Sequence, residues 1–171
     1  MKQRLVVIGA GMASGRALEH LIDQNPDAYD ITLFNAEPRG NYNRIMLSPV
    51  LSGEKTYGDI VTHDDDWYAA NNITCRFGEH VTQIDRAAKQ VIGQNGAVDY
   101  DKLLIAPGSA PFIIPVQGKD LPGVITDRDR DDTNAMIAAA GKGGKAVVIG
   151  GGLLGLEAAA GLAERGMDVT V

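Results

Sequence analysis

The feature that most constrains the fold of this chain is a glycine turn that occurs twice, each time between an apolar run and an alanine-rich segment. The first turn covers residues 9–15 (Gly-Ala-Gly-Met-Ala-Ser-Gly), and the second covers residues 150–155 (Gly-Gly-Gly-Leu-Leu-Gly). An apolar run with β-branched residues predicts a buried strand of a parallel sheet, and the segment after each turn predicts a helix. The sequence therefore predicts two βαβ starts, one near each end of the 171 residues.

The pattern between and around these turns predicts an α/β fold. We expect a Rossmann-like domain with a parallel sheet, helices on both of its faces, and a small antiparallel element around the Asn95-Gly96 hairpin turn. A second βαβ begins after the flexible run 141–144. Residues 35–61 show little periodicity, so we expect a long surface loop there. The predicted strands are 5–8, 31–34, 73–77, 81–85, 90–93, 97–100, 103–106, 146–149 and 168–171, and the predicted helices are 12–23, 64–70, 131–140 and 153–165.

Each glycine in such a turn has a physical task. Gly9 allows the tight exit from the strand, and Gly11 lets a pyrophosphate approach the backbone at the helix N-terminus, where free N–H groups and the helix dipole favour anions. Ser14 stands at the place of the usual third glycine, with Gly15 one residue later. The second turn has the full Gly-x-Gly-x-x-Gly pattern. Both turns therefore predict dinucleotide binding, the second more specifically.

A dinucleotide site also needs a carboxylate after the second strand to accept the ribose hydroxyls. Asn35 lies at the strand end and Glu37 two residues later; we favour Glu37, because a carboxylate accepts two hydroxyls better than an amide does. In the first turn of the helix after the second glycine turn, Glu157 either complements the helix dipole or contacts a cofactor ribose. The residue that separates NAD from NADP should follow strand 168–171, so the sequence does not choose between them.

Two dinucleotide-binding starts in one chain predict two dinucleotides, as a hydride relay from nicotinamide to flavin requires. The flavin performs that chemistry, so we expect no catalytic side chain here. A catalytically silent nucleotide-binding module is the alternative from another class.

Several runs carry a resemblance to a known family. Residues 9–16, 36–48, 103–111 and 153–157 are similar to segments of the FAD- and NAD(P)H-dependent pyridine nucleotide oxidoreductases, in the branch without a redox disulfide. Run 43–54 (Asn-Arg-Ile-Met-Leu-Ser-Pro-Val-Leu-Ser-Gly-Glu) most resembles the nitrite reductase large subunits and their assimilatory relatives. Ferredoxin reductases of the family usually carry Lys after Leu-Ser, where this chain has a proline.

The resemblance implies specific roles. It implies that Glu37 binds the FAD adenosine ribose, that Arg44 reaches FAD, and that the backbone of Val81 meets adenine. Residues 106–108 would close over FAD, although Pro107 replaces the usual threonine, and Glu157 would lie near bound NADH. The full set of cofactor-binding residues expected is Gly9, Gly11, Met12, Ala13, Ser14, Glu37, Arg44, Val81, Ala106, Pro107, Gly108, Gly150, Gly152, Leu153, Leu154, Gly155 and Glu157.

The resemblance also predicts a domain order and a larger parent enzyme. Residues 1–142 would be the first, incomplete part of an FAD-binding domain, and residues 143–171 the start of an NAD(P)-binding domain. The parent would pass electrons from NAD(P)H through FAD to a downstream metal centre, with iron–sulfur and sirohaem groups outside this chain. A rubredoxin- or ferredoxin-type NADH reductase is the alternative. We expect this chain to be an N-terminal fragment that is inactive alone and holds FAD weakly or not at all.

Composition excludes some other functions. The net charge of −6 disfavours nucleic acid and anionic membranes as partners. Cys75 is the one cysteine, which allows neither a disulfide nor a four-thiolate cluster in this chain, and favours the reduced cytoplasm. We expect its thiol to be inert. The three histidines lack metal-ligand spacing, so no metal site is expected. The expected partners are small-molecule cofactors, with a second copy or a small subunit open for the full-length enzyme.

Overall fold

The computed structural model describes residues 2–171, which divide into two compact units. The first unit contains the residues up to Tyr42 and Val61–Gly108; the second contains Asn43–Ile60 and Ser109–Val171. The predicted boundary at residue 143 separates two cofactor-binding parts, and it stays a prediction. The elements are β1 (Gln3–Ile8), α1 (Met12–Gln24), β2 (Tyr29–Asn35), α2 (Leu47–Ser52), α3 (Asp65–Ala70), β3 (Ile73–Phe77), β4 (Val81–Asp85), β5 (Gln90–Gly93), β6 (Gly96–Asp99), β7 (Lys102–Ile105), α4 (Arg130–Ala140), β8 (Lys145–Val147), α5 (Leu153–Glu164) and β9 (Asp168–Thr170), with short 3-10 helices at Arg44–Met46 and Gly58–Ile60.

The first unit is built on a four-stranded parallel sheet in the order β3-β2-β1-β7. Neighbouring residues of β1 point to opposite faces of the sheet, and both faces are buried. The strand is therefore apolar on both faces. On one face Leu5 and Val7 pack with Leu18 of α1 and Tyr68 of α3. The α/β fold with a parallel sheet is therefore confirmed.

The other face of this sheet is covered by strands, so the prediction of helices on both faces is wrong. The antiparallel sheet β4-β5-β6 places Val91, which is fully buried, against Val6, Ile8 and Phe34. A short meander presents enough apolar side chains to bury one face of a four-stranded sheet, so no helix is needed there. The predicted small antiparallel element is confirmed.

The second unit contains the second βαβ start. Strands β8 and β9 pair in parallel and α5 connects them, as predicted. The apolar cluster of this unit joins α5 to α4 and α2; its buried members are Leu51, Met136, Ala140, Ala158 and Leu162. Residues 145–171 form only one helix and two short strands, and α2 and α4 of the same chain cover part of their apolar surface. Val147, Ile149 and Leu153 remain largely exposed.

The expectation that residues 35–61 form a surface loop is wrong for α2. Leu47, Val50 and Leu51 are buried and share one helical face at positions i, i+3 and i+4. The helix ends at Gly53, which has a left-handed φ of 95°. The guanidinium of Arg165 donates to the carbonyls of Leu51 and Val50, which satisfies two acceptors at that end. A run of six residues is too short for its hydrophobic periodicity to predict a helix.

No helix within residues 2–171 is both long enough and apolar enough to cross a membrane.

The buried position of α2 gives the first prediction. Leu51→Ala should lower the free energy of unfolding by about 2–5 kcal/mol, because a leucine packed against Gly161 would leave a cavity. The control Ile45→Ala removes a side chain that is 70% exposed and should change stability by less than about 0.5 kcal/mol. Urea unfolding measures both. Equal midpoints for the two variants would mean that residues 47–52 do not belong to the core.

Candidate functional site

The first glycine turn joins β1 to α1 and contacts the segment that follows β7. Gly9 has a φ of +98°, and a Cβ there would collide with the carbonyl oxygen of Ala106 and lie 3.0 Å from Cα of Pro107. The Gly9 N–H donates to the Phe34 carbonyl oxygen at 2.7 Å. Only glycine fits this position, and the turn therefore brings together residues 9 and 106–107, which the sequence placed in one site.

Gly11 has a different role from Gly9. It is the N-cap of α1 with an ordinary φ of −83°, no side chain caps the helix, and a Cβ at Gly11 would have nothing within 4 Å. Met12 and Ala13 follow it with exposed surface. No side chain caps the first turn of this 13-residue helix, and its N-cap glycine borders open space, which fits the pyrophosphate of a dinucleotide.

The close packing expected of the third glycine belongs to Gly15. Ser14 is buried and its hydroxyl donates to the Gly11 carbonyl oxygen at 3.0 Å. A Cβ at Gly15 would collide with the Asn41 side-chain amide and lie 3.1 Å from Cε1 of His63. Ser14 therefore stabilises the turn through this hydrogen bond, and Gly15 allows α1 to approach Asn41 and His63.

A buried polar cluster packs behind α1, and the sequence analysis did not predict it. His63 hydrogen-bonds Glu19 at 2.8 Å through Nε2 and the Asn41 amide at 3.1 Å through Nδ1. The Asn41 backbone N–H donates to the Tyr68 hydroxyl at 3.0 Å, and burial raises the pKa of Tyr68 to about 12. These residues are far apart in sequence and belong to no recognisable motif, so only the fold reveals that they hold α1 in place.

Asn35 and Glu37, the two candidates for the ribose contact, differ in surroundings. The Asn35 side chain accepts from the Ala10 N–H at 3.3 Å and donates to the Arg39 carbonyl at 2.7 Å, so its amide is engaged in holding the glycine turn. Glu37 Oε2 accepts from the Tyr42 hydroxyl at 2.9 Å and from Arg39 at 3.2 Å. Both donors orient the carboxylate, which supports Glu37 for the ribose role.

The remaining first-unit candidates lie at strand ends. Val81 opens β4 and packs beside Ile8 and Phe34, near the ends of β1 and β2. The Ala106 N–H donates to the Ile8 carbonyl at 2.8 Å, and Pro107 and Gly108 after it are exposed. The candidates after β1, β2 and β7 therefore lie together at the carboxyl ends of the parallel strands, where ligands of such sheets bind.

The second glycine turn repeats this geometry in the second unit. Gly150 has a φ of +125°, and a Cβ at Gly155 would collide with its carbonyl oxygen, so the third glycine brings α5 against the turn. Gly152 is the N-cap of α5, with no side-chain cap and nothing within 4 Å of a Cβ. Leu153 and Leu154 are exposed beside it. The N-terminus of this 12-residue helix also fits a pyrophosphate.

Glu157 lies one turn into α5 and has a partner that the sequence did not predict. The Ser48 hydroxyl of α2 donates to Glu157 Oε2 at 2.7 Å. The carboxyl of Asp127 is close enough to respond to this charge: burial raises the pKa of Asp127, and repulsion from Asp132 and Glu157 raises it further. Arg44, the remaining candidate, donates to the Arg128 carbonyl at 3.4 Å within the same unit, and its role toward FAD stays a prediction.

Two further points concern residues outside the turns: the reactivity of Cys75 and the capacity to hold a metal ion. Burial raises the pKa of Cys75 to about 11, which keeps its thiol protonated and inert at neutral pH, as expected. No group of three His, Cys, Asp or Glu side chains within residues 2–171 could hold a metal ion.

Comparison with known proteins decides the family. Residues 3–171 match the family described as pyridine nucleotide-disulphide oxidoreductase. The chain belongs to this family. It is 49% identical over 171 residues to nitrite reductase [NAD(P)H] and 47% identical to the assimilatory nitrate reductase electron transfer subunit, both of Bacillus subtilis (strain 168). The crystal structure of NADH:rubredoxin oxidoreductase from Clostridium acetobutylicum is 31% identical, with a TM-score of 0.87.

These relatives are all longer than the chain. The alignments cover 99% of the chain in each case, but only 21% and 22% of the two Bacillus proteins and 44% of the rubredoxin oxidoreductase structure. This pyridine nucleotide-disulphide oxidoreductase chain thus spans about a fifth of the length of the two Bacillus relatives. The predicted membership of the FAD- and NAD(P)H-dependent family, with a Rossmann-like fold, is confirmed.

The contrast between Gly9 and Gly11 gives a prediction about stability. Gly9→Ala should cost about 1–3 kcal/mol or more, because it combines a left-handed φ with a backbone collision. Gly11→Ala should cost less, about 0.5–1 kcal/mol, because its φ is ordinary and the space is open, and only the N-cap preference for glycine over alanine is lost. Urea unfolding of both variants tests this. A Gly11→Ala protein as unstable as Gly9→Ala would show that the space beside Gly11 is filled.

The raised pKa of Asp127 gives a prediction about pH. Its folded-state pKa lies above the unfolded value, so the folded protein loses stability as the pH rises through that pKa. Asp127→Asn removes this loss and should stabilise the protein at pH 8, by less than about 1 kcal/mol because the carboxyl is partly exposed. The gain should vanish below the ordinary aspartate pKa of about 3.9.

Chemical denaturation at several pH values measures this effect. The control Asp120→Asn changes an exposed carboxyl paired with Lys119, and it should not gain stability at any pH. A gain for Asp127→Asn that is the same at pH 4 and pH 8 would be inconsistent with repulsion from Asp132 and Glu157.

Proposed function

We propose that this chain supplies the dinucleotide-binding turns of a flavoprotein that passes electrons from NAD(P)H through FAD to a metal centre elsewhere in the protein. The observation that carries the proposal is the pair of uncapped helix N-termini, α1 and α5, each open at its N-cap glycine. One chain with two such anion-binding ends has the parts that two dinucleotides need.

In the first unit, the N–H groups after Gly11 would bind the FAD pyrophosphate and the Glu37 carboxylate would accept the adenosine ribose hydroxyls. Tyr42 and Arg39 fix that carboxylate before the ligand arrives, which lowers the entropy lost on binding. Asn35 holds the Ala10 N–H and thereby the shape of the turn. These residues bind and orient; none of them transfers a proton.

In the second unit, the N–H groups after Gly152 would bind the pyrophosphate of NAD(P)H. The exposed side chains of Leu153 and Leu154 lie next to those groups and would exclude water from the cofactor backbone. When bound, FAD supplies the redox chemistry by accepting a hydride from the nicotinamide. This division of labour explains why no reactive side chain is needed at either turn.

For the parent enzyme we propose a nitrite reductase large subunit, with a rubredoxin- or ferredoxin-type NADH reductase as the second candidate. The first is supported by 49% identity to nitrite reductase [NAD(P)H] of Bacillus subtilis, and by the Pro49 that follows Leu-Ser in this chain. The second is supported by the fold likeness to NADH:rubredoxin oxidoreductase, at 31% identity. Either parent would use the two turns in the same way.

The test is a pair of ligand titrations followed by amide NMR, since shift mapping detects weak binding. FAD should perturb the amides of residues 9–14 and 37, whereas NADH should perturb those of residues 150–157. Gly11→Ala and Gly152→Ala are matched variants, because in each the new methyl group occupies open space that a pyrophosphate would use. Each should weaken its own ligand about tenfold or more, the loss expected for about 1.4 kcal/mol.

The cross-combinations are the controls for this experiment. Gly11→Ala should bind NADH normally, and Gly152→Ala should bind FAD normally. A wild-type chain in which neither ligand shifts any amide of either turn, at millimolar concentration, would contradict the proposed function. Binding of both FAD and NADH at the same turn would also contradict the proposed function.

A further inference from the structure

The hydrogen bond between α2 and α5 gives Ser48 a role that the glycine motif does not contain. We propose that Ser48 is a positioning residue for Glu157, and that it holds this carboxylate ready to accept an N–H or O–H of bound NAD(P)H. The proposal rests on the proposed binding of NAD(P)H at the second turn. Its basis is the 2.7 Å bond from the Ser48 hydroxyl to Glu157 Oε2.

The two helices that carry this pair are held together independently of it. Leu51 packs against Gly161, where a Cβ would lie only 2.8 Å from its Cγ, so the helices approach closely. Arg165 binds the carbonyls of Val50 and Leu51 at the end of α2. Ser48 is therefore presented to Glu157 from a rigid element, and a fixed donor keeps an acceptor in one orientation.

The chemistry of the surroundings explains why a hydroxyl matters here. Within residues 2–171, Ser48 is the one group that donates a hydrogen bond to the Glu157 carboxylate. Pro49 beside it has no N–H and no charge to offer. Asp127 is acidic too: burial raises its pKa, and repulsion from Asp132 and Glu157 raises it further, so this neighbour offers the Glu157 carboxylate no stabilising charge. Without Ser48, no hydrogen bond would fix the orientation of this carboxylate.

A hydroxyl also leaves the carboxylate available to a ligand. One serine occupies one lone pair of Oε2, so Oε1 can still accept from the cofactor. Ser48 adds no charge beside Glu157, and a carboxylate acceptor strengthens a hydrogen bond from a ligand N–H. Glu157 follows the open N-terminus of α5 by one turn, which places the pair on the same helix end as the proposed pyrophosphate site.

The experiment measures NADH affinity of the chain by amide NMR for the wild type and for Ser48→Ala, Ser48→Thr and Glu157→Gln. Ser48→Ala should weaken NADH binding about fivefold, because the Glu157 carboxylate loses the donor that orients it, and Ser48→Thr should restore affinity because it keeps the hydroxyl. Ser52→Ala is the matched control: it removes a hydroxyl of the same helix that bonds Pro49 and Glu54 instead. It should leave NADH affinity unchanged.

A double variant separates positioning from a general effect on α2. If Ser48 acts through Glu157, then Ser48→Ala should add no further loss in the Glu157→Gln background. Full additivity of the two losses, or unchanged NADH affinity in Ser48→Ala, would overturn the proposal while leaving NADH binding at the turn intact. Absence of NADH binding in the wild type would instead overturn the proposed function. FAD shifts at residues 9–14 should be the same in all variants.

Discussion

The structure depends on two glycines that turn the backbone from a parallel strand directly into a helix. At Gly9 and at Gly150 the φ angle is positive, and at both places the chain reverses into a helix whose first N–H groups have no side-chain cap. An L-residue with a Cβ would be strained at either position. Because of these two residues, each unit ends a strand with a concentrated site of positive potential instead of a capped helix.

Each open helix end needs rigid support, and the two units supply it differently. In the first unit, Gly15 lets α1 approach Asn41 and His63, whose hydrogen bonds continue to Glu19. In the second unit, α2 supports α5 through apolar packing and through the pair of Ser48 and Glu157. The first unit therefore supports its helix mainly through a buried polar cluster, and the second mainly through apolar packing.

The sequence predicted those features that arise from local chemistry. The strands at 73–77, 81–85 and 90–93 have the predicted bounds, and both helices after the glycine turns begin where predicted, because the turns fix their start. The sequence failed where long-range contacts decide. Residues 47–52 became a helix because α4 and α5 bury Leu51, and the sheet face assigned to helices was covered by β4–β6.

The same distinction holds for the candidate site. Gly9 and Ala106, which the family resemblance assigned to one FAD site, are brought into contact by parallel pairing of β1 and β7. The contact of Asn35 with Ala10 joins residues 25 positions apart, and that of Ser48 with Glu157 joins residues 109 positions apart. No local sequence pattern predicts either contact. Side-chain partners across such distances follow from the packed fold and not from residue type.

The central claim is that two dinucleotides bind the chain together, one at each glycine turn. The most direct measurement is ligand-observed saturation-transfer NMR on the wild-type chain with FAD and NADH in the same sample. The claim predicts that the signal of bound FAD keeps its intensity as NADH is added in excess, because the ligands occupy different helix ends. An FAD signal that falls in proportion to added NADH would show that both compete for a single turn, and would contradict the claim.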